Sequence, residues 1–164
     1  MIAVTLVTGM FVVAPDDISH AGVPEGYISS DKAPVHGKVG LGMNGRQTWE
    51  LNNHQDYSYT LEHTCYCVLP KRVQVYVIGG RVVQVDDLKT GRVHTEPDML
   101  RSFLTINGYF KLIDQLLAGH PDSITIQHNR YHGYPEVIKA NPSYRMADEE
   151  TDYRISELKF LHKR

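Results

Sequence analysis

From Tyr57 to Glu62 the chain alternates: Tyr57, Tyr59 and Leu61 fall on one side, Ser58, Thr60 and Glu62 on the other. Side chains two apart on an extended backbone share a face, so this pattern predicts a strand over 56–67 with one buried side. Two valine-rich runs, 71–78 and 81–87, flank Gly79-Gly80, a pair free to take the positive φ angles of a two-residue hairpin. Residues 105–118 change to helical spacing, with Ile106, Tyr109, Phe110, Ile113, Leu116 and Leu117 on one stripe. Thr105 is the predicted cap of that helix, and Gly119 with Pro121 its stop. Alternation returns at Ser123-Ile124-Thr125-Ile126-Gln127-His128, and Pro135 marks a bulge or strand start in the segment 134–139. The last predicted strand covers 152–161, where the slip in spacing between Ile155 and Leu158 implies a bulge. A short helix over 46–53, anchored by Trp49, precedes these elements. The order βββ-α-βββ predicts an α+β domain: an antiparallel sheet of about six strands, with one main helix packed on one face.

Ahead of Gly45 the periodicity disappears. Residues 2–14 are apolar and uncharged, short of the ~20 residues that a membrane-spanning helix requires but matched to the apolar core of an export signal. The cationic start of such a signal is missing, which either a start site placed too far downstream, truncating the signal, or a core strand that is no signal would explain. The expected division is a signal-like segment over 1–21, a Gly- and Pro-rich linker over 22–44, and a single domain over 45–164. Net charge is −2 and no basic stripe occurs, so nucleic acid is not an expected partner, and no transmembrane helix is expected either. The hydrophobic share of 41% suits a folded core that requires no crosslink.

Candidate chemistry concentrates in His63-Thr64-Cys65-Tyr66-Cys67, which holds both cysteines. On a strand, Cys65 and Cys67 share a face, so a local disulfide, two free thiols and a redox or metal role all remain open. As a metal set, His63, Cys65 and Cys67 would need a fourth ligand, for which His128 and His132 are the weak candidates. No Gly-x-Ser-x-Gly, His-Glu-x-x-His, phosphate loop or dinucleotide fingerprint occurs, so no catalytic residue and no cofactor are expected. The loop carrying Tyr131, His132 and Tyr134 is the first place to expect a partner, a protein or a component of the cell envelope.

Several spaced features carry a resemblance. Trp49 precedes Tyr57-Ser58-Tyr59-Thr60-Leu61 and Cys65-Tyr66-Cys67. Val73-Gln74-Val75-Tyr76-Val77, Gly80-Arg81-Val82-Val83, Tyr109-Phe110-Lys111-Leu112-Ile113-Asp114 and Tyr131-His132-Gly133-Tyr134-Pro135-Glu136-Val137-Ile138 follow. Together they resemble a bacterial family known as domain of unknown function 6174. The resemblance implies a small exported protein, periplasmic or at the cell surface, and transfers no catalytic residue. The combined expectation is a non-enzymatic binding or structural module, with thiol-redox or metal handling through Cys65 and Cys67 as the alternative.

Overall fold

A computed structural model of the chain describes residues 22–30, 44–52, 54–64, 69–142 and 150–164. Among these residues eight strands form one sheet in the order β5-β4-β3-β2-β8-β7-β6, with β1 paired to β8 off that path. They are β1 (Tyr27–Ser30), β2 (Tyr57–Thr64), β3 (Arg72–Ile78), β4 (Arg81–Asp87), β5 (Val93–His94), β6 (Ser123–His128), β7 (Pro135–Asn141) and β8 (Thr151–Lys163). Three helices accompany them: α1 (Gly45–Asn52), α2 (Pro97–Leu100) and α3 (Ile106–Ala118). Every pairing among the described residues is antiparallel. The expected count of about six strands is therefore too low. β1 lies in the Gly/Pro-rich stretch and β5 has two residues, so neither carries enough alternation to be seen; long-range pairing with β8 and β4 holds them.

β8 is the spine. Its first half pairs with β7 on one side and β2 on the other, and its second half exchanges β7 for β1. The predicted bulge is present: pairing jumps from Ser58↔Lys159 to Thr60↔Ser156, and Glu157 takes φ 51° there. The β3–β4 turn places Gly79 and Gly80 at φ 57° and 71°, a conformation that a Cβ disfavours.

Register defines the helix-bearing face. Tyr57, Tyr59 and Leu61 pair with Val77, Val75 and Val73, and Val75 with Val85. All are buried together with Ile106, Tyr109, Phe110 and Ile113 of α3. Each such side chain contributes ~1.5–3 kcal/mol when fully buried, so packing rather than propensity holds α3 down. Thr105 caps the helix by accepting from Gly108 N, and Tyr57 Oη accepts from Ile106 N at 2.9 Å. Leu117, placed on the apolar stripe by spacing, is 48% exposed instead. The stop also differs in detail: Gly119 stays in the right-handed region, and His120 carries the positive φ, 51°.

The opposite face is not simply solvated. Ser58, Thr60, Tyr76 and Asp86 are buried there, and Gln84 Nε2 donates to Gly22 O, which brings the strand-β1 segment over that face. Thr60 Oγ1 lies 2.8 Å from Gln74 Oε1 and 2.9 Å from Glu157 Oε2.

Candidate functional site at the histidine end

α1 is built to dock. Asn44 and Gln47 cap its start reciprocally: Gln47 N donates to Asn44 Oδ1 and Asn44 N to Gln47 Oε1. Trp49, 2% exposed, turns its edge to Tyr57 and donates Nε1–H to Asn107 Oδ1 at 2.8 Å. Arg46 donates to Phe110 O and Asp114 Oδ1, and its guanidinium stands over the Phe110 ring. Below the helix, Asn129 shapes the β6–β7 turn by accepting from the amides of Tyr131 and His132. Gly133 completes the turn at φ 78°, so close to α1 that a Cβ there would lie 2.1 Å from Gly45 O. α1 and the 129–133 turn therefore form one packed unit.

This unit brings His54 and His132 together. Their rings are 6.5 Å apart between centroids, and Phe160 of β8 packs on both, 4.2 Å from His54 and 5.2 Å from His132. Beside them opens a groove of about 240 Å³ lined by Asn52, His54, Gln55, Asp56, Phe160, Leu161 and His162. Burial, with His132 close by, lowers the His54 pKa from 6.5 to about 4, so the imidazole is neutral near pH 7. Its Nε2 is buried without a hydrogen-bond partner among the described residues. Burial lowers His132 as well, and His128, stacked on Phe110, is lowered by burial and by the Arg46 charge.

The sequence-predicted site residues divide between two ends. His63 N donates to Lys71 O, and His63 Nε2 lies 2.9 Å from Pro70 O. A carbonyl only accepts, so Nε2 carries the hydrogen and is committed to closing the β2–β3 connection. The His63 ring also stacks on Tyr153 and meets Phe103 edge-on. Cys65 and Cys67 lie outside the described residues, in that connection. At its root is a groove of about 270 Å³ whose lining includes Lys71, Arg72, Arg154, Glu62 and Asp152. His63, Tyr153, Ile138 and Ile126 occupy one row across four strands. β6, which ends in His128, is therefore ~14 Å from β2 at the usual strand spacing, and the fold does not bring His128 to His63 as a fourth ligand. Among the described residues no three His, Asp or Glu side chains converge as a metal set.

Of the loop candidates, Tyr131 is exposed under the Arg130 guanidinium, whereas Tyr134 is buried and its hydroxyl pKa is pushed up to about 12 by burial and Glu136. His54 is missing from the sequence reading. It sits in the polar run Asn52-Asn53-His54-Gln55-Asp56, and only the arrival of Phe160 and His132 from distant strands gives it a role. Asp86 was equally hidden: it is 0% exposed, accepts from Gln84 Nε2 at 2.8 Å, and has its pKa raised by burial.

A family model described as a family of unknown function (DUF6174) matches residues 43–160. No curated protein and no solved structure gives a significant match to the chain. None of the helices in the described residues is long and apolar enough to cross a membrane.

Proposed function

The chain belongs to this family of unknown function, and we propose that it acts outside the cytoplasm as a non-enzymatic binding module whose binding end is the groove beside His54. One observation carries the reading: a neutral imidazole whose buried Nε2 has no partner among the described residues, beside an open groove that Phe160 and Leu161 line with apolar surface. A ligand with one hydrogen-bonding group and an adjoining apolar part satisfies both requirements. Three titratable groups of the core support the same reading, because they are used internally. Tyr59 Oη is bonded to Leu104 O, Tyr57 Oη to Ile106 N, and His63 to Pro70 O. The partner class is a protein or envelope component, and export rests on the apolar segment 2–14.

The test is photo-crosslinking in the living cell from position 55, in the groove, against position 89, on the distant β4–β5 turn. The expected result is a discrete adduct from position 55 alone, lost on His54→Ala. Equal adducts from both positions, or turnover of ester, phosphate or peptide substrates abolished by His54→Ala, overturns the reading. A second reading, thiol-redox or metal handling by Cys65 and Cys67, draws support from Lys71 at the root of their connection, since cations favour thiolate, whereas Arg72 and Arg154 there are paired with Glu62 and Asp152. A thiol pKa near 8.5 in the folded protein would remove it.

A further inference from the structure

The sheet ends on β6, which pairs with β7 on one side and with no other strand among the described residues. Edge strands in folded proteins are usually blunted by charge, proline, bulges or a covering element. The segment Ser123-Ile124-Thr125-Ile126-Gln127 has no charge and no proline, and the register shift against β7 comes only at its end, between Gln127 and His128. Ser123, Thr125 and Gln127 are exposed, and Ile124 and Ile126 remain only partly covered although they lie on the helix-bearing side with buried Ile138.

The same five residues read almost alike in both directions about Thr125. In an antiparallel pair with a two-fold axis at Thr125, each residue meets one of the same face: Thr125 opposes Thr125 of the second copy, Ile124 opposes Ile126, and Ser123 opposes Gln127. A two-residue period keeps the isoleucines of both copies on the helix side and the polar residues on the other. Aliphatic cross-strand pairs and Thr–Thr pairs are the favourable neighbours of a sheet.

We infer that β6 is a self-association edge, where a second copy of this chain adds its own β6 antiparallel and continues the sheet across the two-fold axis. One strand pair is a small interface, so association is weak and lies in the micromolar range or above.

Sedimentation equilibrium of the full chain between 5 and 500 µM tests this, with circular dichroism to verify each fold. The weight-average mass should rise with concentration from one chain towards two. Thr125→Glu places its carboxylate beside Lys139, its cross-strand neighbour on β7, which already pairs with Asp152 at 3.0 Å, and the exposed position leaves room for it in the single chain. Across the axis two carboxylates then oppose, and the dissociation constant should rise at least tenfold. Thr125→Lys should likewise oppose itself, and an equimolar mixture of the two variants should associate about as well as the wild type. A chain that stays monomeric at 500 µM overturns the proposal and leaves the edge to an extended segment of another protein. Association that neither variant alters places the dimer on another face and overturns it too.

Discussion

Acid should loosen the histidine end, and the size of the effect follows from His54. Its pKa is about 4 in the folded chain against 6.5 as the reference value. In the unfolded chain His54 takes up a proton below pH 6.5, while the folded site resists it. The unfolded state therefore binds more protons, and stability falls as pH drops through the window from 6.5 to about 4, with no change above it. At pH 5 the full shift corresponds to ~2 kcal/mol; partial solvent access to the groove reduces this to ~1 kcal/mol. Urea unfolding at pH 7.5 and pH 5.0 measures it, with His54→Phe as the comparison because a phenyl ring keeps the contacts to Trp49 and Phe160. Other groups that titrate here, including His128, His132 and Asp86, are common to both proteins and largely cancel. The wild type should lose ~1 kcal/mol more than the variant over that pH interval. Equal losses in the two proteins would refute the assignment of a buried neutral imidazole.

Removing the α1 anchor by Trp49→Ala should cost ~3–5 kcal/mol in chemical denaturation, since a fully packed indole leaves a cavity and orphans Asn107 Oδ1. Gly133→Ala should cost more than ~2 kcal/mol, because its Cβ would collide with Gly45 O and Thr48, whereas Gly91→Ala, at φ 72° with open space around it, should cost only ~1 kcal/mol; thermal melts of the pair separate the clash from the backbone strain. Tyr57→Phe should cost ~1–2 kcal/mol by leaving the buried Ile106 amide without an acceptor, and hydrogen exchange at Ile106 should accelerate in step.

Elements whose stability is written locally were legible in the sequence. The Gly79-Gly80 hairpin, the Thr105-capped helix and the Glu157 bulge each follow from a turn residue, a cap or a slip in spacing, and each is found where the pattern puts it. What stayed hidden is what distant strands create. β1 and β5 have four and two residues and exist through their partners. The polar side of β2 gave no sign that Ser58 and Thr60 are buried, because alternation reports chemistry and not what lies above it. The histidine end shows the same limit. His132 and Tyr131 could be named from their loop, but His54 is defined by Trp49, Phe160 and His132 together, three contacts with no local signature.

The central position of β8 has a consequence for the order of assembly. It follows the other seven described strands in the sequence, yet it stands between β2 and β7, so the two wings of the sheet cannot be joined until residues 151–163 are in place. Thr60 and Ser156 are neighbours across about a hundred residues of chain, the kind of distant closure that slows folding. Until β8 pairs with both, the facing margins of β2 and β7 stay bare, and a strand from elsewhere can pair with either.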